Sequence, residues 1–443
     1  MKVNLSWLRT TFWLVGSMVY PHISGAQDET NKIESATLEQ VVAYALKHQP
    51  GVQQAEINQE IVNQVVKGKL ADWYPQISFN YNYQRFIDLQ SSVIGGEVIR
   101  FGVNNTSSAQ LTATQSLFNR DVLLASNTAS TVRLQAEQGT QQAKIQMVVN
   151  VSKAFYDLLA TQKQIEVSEE SVIRLESSLK DARSRYEAGV ADKTDYQRAT
   201  IALGNAQAAY KANQELLGYK QQNLKTLMGY PLEEELPIAY DVDMMENEIL
   251  LDTSEQMNPV NHIDFRLLQT QRELQEANVK YNQWAFLPSL SAFGAYNLNY
   301  QNDNFGELYN TSYPYSYVGA TLSLPLFQGG KRLSKIQEQK WTSDRLDVGI
   351  ADLKNKLDTE YDRALAAYKS NLYSYLAQKQ NVELAQEVYD IIQLQYQSGV
   401  KTYLDVTIAE TDLRTTRINY FNALYQVLAS KIDVNRALGT INY

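Results

Sequence analysis

The chain has 443 residues, of which 44% are hydrophobic and 20% charged, so it is no disordered tail. Its net charge of −9 excludes the broad basic surface that nucleic acid requires. It contains no Cys, which excludes disulfides, thiolate metal sites and a Cys nucleophile, and its only imidazoles are His22, His48 and His262.

Positions 1–26 read as a secretory signal peptide: Lys2 and Arg9 supply positive charge, Thr11 to Tyr20 is mostly apolar, and Ser24-Gly25-Ala26 is a cleavage site. They hold two bases and no acid, so their removal takes the net charge from −9 to −11. No other stretch offers the roughly 18 consecutive apolar residues of a membrane helix. An exported chain of this kind crosses a membrane only with strands.

A helix is predicted over 37–73, with Thr37 and Gln40 as a capping box and Pro50 as a kink. Beyond Pro75 the period changes to two. Ile77, Phe79, Tyr81 and Tyr83 alternate with Ser78, Asn80, Asn82 and Gln84, which predicts a strand over 76–86 with one apolar and one polar side. A polar loop leads to a second strand over 108–118. A Pro-free helix then runs over 119–188, with Val151, Phe155, Leu158, Ile165, Val172, Leu175, Leu179, Ala182 and Tyr186 as a heptad-like seam. At 1.5 Å per residue such a helix is roughly 100 Å long, so it belongs to an elongated body. After a Gly-containing turn, a helix over 195–228 ends at Gly229 and Pro231. Residues 231–257 read as an acidic connector.

The second half repeats this order, with a helix over 258–285, strands over 290–300 and 317–326, a Pro-free helix over 331–398 and a last helix over 405–438. Tyr186 and Tyr396, Gly189 and Gly399, Asp195 and Asp405, and Gly229 and Gly439 each stand 210 positions apart. The fold expected is therefore mainly α with membrane β, a duplicated helix-strand-strand-long helix-helix unit spanning 27–230 and 258–443. Four strands cannot close a barrel, and lipid tolerates no open sheet edge, so strands in a membrane require several chains to share one barrel. Trp73, Tyr74, Trp284 and Phe286 precede the strands, where an interfacial girdle is expected.

This layout resembles the TolC family of outer-membrane efflux proteins from Thr37 to Gly439. The resemblance rests on Tyr74-Pro75 and Leu287-Pro288 before strands, on Leu326-Phe327-Gln328-Gly329-Gly330 after the last one, and on the paired Tyr-x-x-Gly turns followed by Asp. It implies a homotrimer, with a shared twelve-stranded barrel in the outer membrane continued by a twelve-helix tunnel through the periplasm. It implies two partners, a periplasmic adaptor and an inner-membrane pump, with outer-membrane lipid around the barrel. It implies a passive exit duct, no enzyme, no cofactor and no metal.

Carried over by position, the resemblance assigns the periplasmic gate to Thr194, Asp195, Tyr396, Lys401 and Asp405. The adaptor-contact tip falls to Arg185, Tyr186, Gly189 and Gly399. The basic position is Lys401 rather than arginine, a point donor without a bidentate fork. The family's second lumenal aspartate falls at Ile408, so a double acidic ring is not expected.

Plainer roles stand beside these. Asp195 and Asp405 suit helix N-termini in any fold, Tyr186 and Tyr396 continue the packing seam, Gly189 and Gly399 end helices, and Arg185 suits a helix C-terminus. The loop carrying Tyr309, Tyr313 and Tyr315 reads as an aromatic girdle, or else an extracellular lid. His48 and His262 are isolated and read as structural. Export of protein or of metal ions is open within the family, and a soluble periplasmic coiled-coil adaptor or scaffold is the alternative of another class.

Overall fold

The computed structural model of the protein describes residues 36–239 and 242–442. The signal peptide expected over 1–26 lies outside the described residues. Two helices, α1 (Leu38–His48) and α2 (Pro50–Leu70), replace the single helix expected over 37–73. Pro50 has no amide hydrogen with which to continue α1, but its fixed φ suits the first turn of α2. Gln49 caps that turn by accepting the Val52 N–H at 2.7 Å. The capping box at Thr37 and Gln40 is formed.

The chain continues through β1 (Gln76–Arg85), β2 (Gln90–Ile94), β3 (Glu97–Phe101) and β4 (Asn105–Phe118). The long helix α3 (Arg120–Glu187) and its partner α4 (Lys193–Met228) follow. After the short α5 (Val242–Asn247) come α6 (Ile263–Gln283), β5 (Ser289–Asn302), β6 (Ser312–Ser323), the long α7 (Lys331–Gln397) and α8 (Tyr403–Leu438). α3 packs along α4, α7 along α8, and α3 also lies against α8. The seam residues Phe155, Leu158 and Ala182 of α3 and Tyr368, Tyr375, Tyr389 and Tyr396 of α7 are buried, which is why two helices of roughly 100 Å hold together without a globular core.

Several boundaries differ from the sequence reading. The helix expected over 258–285 begins at Ile263, because Pro259 sits in a single 3-10 turn capped by Asn258, and His262 caps α6. The helix expected from 195 begins at Lys193, with Asp192 as its cap. The strand expected over 317–326 is displaced toward its N-terminus. Pro325 has no hydrogen to donate at one end, while Pro314 is tolerated inside β6 because that strand is an edge. Part of the expected loop over 87–106 is the β2–β3 hairpin, turning at Gly95 and Gly96. The acidic connector contains α5, and its Leu236, Met245 and Ile249 enter the main apolar cluster with α1, α3, α4, α7 and α8.

The main sheet is antiparallel in the order β1-β4-β5-β6, with β1 and β6 as free edges. Its register sorts side chains by parity. Ile77, Ala113, Gly294 and Val318 form one row, and Phe79, Leu111, Tyr296 and Ser316 the next. On the opposite face, Asn80, Gln110, Asn297 and Tyr315 form a row, as do Asn82, Ser108, Asn299 and Tyr313. The first face is apolar yet open, with Ile77 at 70%, Phe79 at 66% and Val318 at 90% exposure. The helices continue directly from the strands, so the sheet caps one end of the bundle and the α3–α4 and α7–α8 turns lie at the other.

Candidate gate at the two helical hairpin turns

Both turns end their long helix in the same way. Gly189 at φ 73° and Gly399 at φ 77° take the left-handed conformation that side chains disfavour. The Val190 N–H then reaches the Arg185 carbonyl at 3.0 Å, and the Val400 N–H reaches the Gln395 carbonyl at 2.9 Å. The shorter helices begin differently. Asp192 accepts the Thr194 N–H at 2.7 Å and so caps α4. In the second turn Thr402 caps α8, and Asp405 reaches back to the Thr402 N–H at 2.9 Å and its hydroxyl at 2.8 Å. Hydrogen bonds from Thr194 hold the Asp192 carboxyl below the usual range. The Thr402 hydroxyl and amide, with Lys401 nearby, do the same for Asp405.

Arg185 joins the turns. Its guanidinium lies 4.6 Å from the centre of the Tyr396 ring and donates to the Gln397 carbonyl at 3.3 Å. Beneath it Tyr396 is 6% exposed and packs edge-on against Tyr403, with Ala182, Ala199 and Val406 completing a small apolar cluster. Burial pushes the Tyr396 and Tyr403 phenols up. The equivalent Tyr186 is 40% exposed and stacks on Tyr196.

Of the residues assigned to the gate, Lys401 and Asp405 come together, 4.0 Å apart one helical turn away from each other. Thr194 supplies a backbone donor to Asp192. Asp195 lies in the first turn of α4, and within one chain no hydrogen bond or ion pair joins it to Tyr396 or Lys401 among the described residues. Val190 and Val400 stand on the outside of the tip at 74% and 72% exposure.

Two polar assemblies escaped the sequence reading. Above the tip, Glu410 of α8 is 3% exposed, accepts from Ser171 at 2.7 Å and pairs with Arg174 at 3.2 Å. Arg174 also covers the Tyr389 ring, and Arg417 pairs with Glu170. This network fastens α3 to α8, so one hairpin cannot slide on the other without uncovering a buried charge, a change that costs several kcal/mol. Midway up, Glu246 of the connector takes hydrogen bonds from Tyr375 at 2.7 Å, Tyr420 at 2.5 Å and Lys379 at 2.6 Å. Partial burial pushes its carboxyl up, but these three donors outweigh burial and hold it below its usual range. Burial and the carboxylate raise Tyr375 to about 12. Only the acidic composition of the connector hinted at this belt; nothing local marked Glu246 among its neighbours.

His48 donates through Nδ1 to the Tyr44 carbonyl at 2.9 Å and stacks on the Tyr44 ring, while His262 is a helix cap that accepts the Asp264 N–H. Both are structural.

The sequence pattern of the family described as outer membrane efflux protein matches residues 41–230 and 259–440. The probable efflux pump outer membrane protein TtgC of Pseudomonas putida is 23% identical over 91% of this chain and 82% of its own length. Outer membrane protein TolC of Escherichia coli is 24% identical, covering 77% of this chain and 71% of its own. Among solved structures, the Campylobacter jejuni CmeC outer membrane channel superposes with a TM-score of 0.74 at 18% identity, over 94% of this chain and 90% of that one.

Proposed function

The chain belongs to the outer membrane efflux protein family, and from that premise we propose that it is one subunit of a homotrimeric, gated exit duct in the outer membrane. The family consists of channels rather than enzymes, working with a periplasmic adaptor and an inner-membrane pump. One observation carries the trimer: a four-stranded sheet with an open apolar face and two unpaired edges, mounted on helices roughly 100 Å long. Lipid accepts the apolar face but not the edges. Three copies joined β6 to β1 give twelve strands, a size at which barrels close, whereas one copy cannot. The helices then extend the barrel as a tunnel whose far mouth is formed by the two turns.

The gate reading supports a division of labour at that mouth. Arg185 and the Arg174–Glu410 network hold the two hairpins of one subunit together. The Thr194 side chain is engaged by Asp192, while Asp195 makes no side-chain hydrogen bond or ion pair among the described residues and is set to meet the Lys401 side of a neighbouring turn, where Tyr396 is buried within its own subunit. Tyr186, Gly189, Gly399 and the exposed Val190 and Val400 offer the tip on which an adaptor docks. Asp405 repeated around the axis gives the mouth a negative ring that favours cations. The cargo this suits best is small toxic organic compounds, as the names of two Pseudomonas putida relatives, a toluene and an antibiotic efflux pump outer membrane protein, suggest.

Planar-bilayer recording tests this directly. The purified protein forms trimers with a small, cation-preferring conductance, and Lys401→Ala and Asp195→Ala each raise it. Anion preference at neutral pH removes the acidic-ring role, and two variants with unchanged conductance remove the latch.

A further inference from the structure

We propose that Tyr313, Tyr315 and Tyr317, with Phe293, form a stacking track for planar aromatic solutes on the inner face of the barrel. The proposal rests on the exit-duct reading and adds a ligand class to it. Because the apolar face of the sheet must meet lipid, the face that carries Asn80, Gln110 and Asn297 must meet the lumen, and the register puts Tyr315 in their row. Tyr313 and Tyr317 lie two residues to either side and so share that face. The girdle expected from this loop therefore divides. Tyr309 bonds to Tyr81 at 2.7 Å and packs edge-on against Tyr300 on the lipid side, while Tyr313 and Tyr315 turn inward.

The inward rings are ordered with respect to one another. Tyr315 and Tyr317 are nearly parallel, with centres 6.3 Å apart and planes 16° apart. Tyr317 meets Phe293 edge-on at 6.1 Å. Phe293 is seated over Gly319, where an added Cβ would come within 2.7 Å of the ring, so the glycine is the space that lets Phe293 lie across β6. All three tyrosines remain about half exposed. Beside them a cleft of about 700 Å³ is lined by Asn82, Gln84, Asn299, Gln301, Tyr313 and Tyr315.

No residue on the inner face of the four strands is charged. Such a surface cannot hold an ion as an ion pair would, but it offers ring faces for stacking and amides for a solute's polar edge. A solute that carries a cationic aromatic nucleus gains further from the ring quadrupoles. Contacts of this kind are individually weak and repeated at short intervals, which lets a molecule enter and then leave.

The test is blockade of single channels in planar bilayers by ethidium, added on the side of the strand loops so that it reaches the barrel without passing the mouth. Tetrabutylammonium serves as a cation without rings. The unblocked conductance reads the channel itself, and the blocked dwell time reads the track. Ethidium is expected to block the native channel. In the triple variant Tyr313→Leu, Tyr315→Leu, Tyr317→Leu its dwell time falls about tenfold, as expected for the loss of two or more aromatic contacts. The single variant Tyr315→Ser gives a smaller fall in the same direction, Tyr315→Phe leaves the dwell time unchanged, and tetrabutylammonium responds to none of them. Absence of ethidium block, equal dwell times in native and Ser or Leu channels, or a parallel loss of tetrabutylammonium block overturns the proposal.

Discussion

The α3–α4 and α7–α8 turns share a backbone and differ in nearly every side-chain commitment. Each ends its long helix with a left-handed glycine and the same pair of carbonyl bonds. Tyr186 nevertheless stacks in the open on Tyr196, whereas Tyr396 is buried beneath Arg185 and against Tyr403. One helix starts on Asp192, the other on a reciprocal Thr402–Asp405 box. The geometry of a turn thus constrains its glycine and little else, leaving the surrounding side chains to take up separate tasks. The second turn is the anchored one, and the first is the freer.

The comparison breaks most readily at the tyrosines. Tyr396→Ala should lower the local stability of the tip by about 3 kcal/mol, as emptying an aromatic site in a packed cluster does. Tyr186→Ala should cost about 1 kcal/mol or less, since that ring already meets solvent. Hydrogen exchange of the amides in the two turns measures both, and equal losses would show that the turns are anchored alike.

The caps provide a smaller contrast. Thr402→Ala should destabilise the start of α8 by about 1 kcal/mol, while Thr194→Ala should change the start of α4 by less than about 0.5 kcal/mol, because Asp192 is the cap there. If Thr194→Ala alters conductance without altering exchange, its role lies between subunits.

The smallest effect distinguishes the turns by pH. Asp192 and Asp405 have carboxyls lowered by their hydrogen bonds, so each contributes stability above the unfolded value near pH 4 that is lost as pH falls through the folded value. Both turns should therefore loosen together in acid. Tyr396 and Tyr403 are raised by burial, so their contribution is complete below the unfolded value near pH 10 and is lost as pH rises through the folded one. Alkaline loosening should thus begin in the second turn. Exchange rates followed across both ranges give the order, and alkaline loosening that starts in the first turn would contradict it.

The long helices were legible because a Pro-free run with apolar residues stepping by three and four has few alternative structures. The strands at Ile77 and Val318 were legible because strict alternation means one face in and one face out. What was hidden depended on distant partners or on single-residue counts. Asp192 and Asp195 are equally good caps by type, and only the path of the turn chooses between them. Glu246 sits in an irregular stretch, and its three donors come from helices far along the chain. The β2–β3 hairpin did leave a mark, since Gly95-Gly96 between Val93 and Val98 is a two-residue turn signal. The Tyr-rich stretch reads as one loop in the sequence, but Tyr313 and Tyr315 lie inside β6 and follow its alternation, whereas Tyr309 precedes the strand and packs on Tyr81 and Tyr300.

The free edges of β1 and β6 also bear on how the duct is made. A solitary copy that entered the bilayer would bring two rows of unpaired peptide groups into hydrocarbon, each costing several kcal/mol. On the trimer proposed above, insertion is coupled to association, since the strands can settle in lipid only as a closed set. Dilution should halt biogenesis at a single chain with an exposed apolar sheet, a species that needs a chaperone more than any later one.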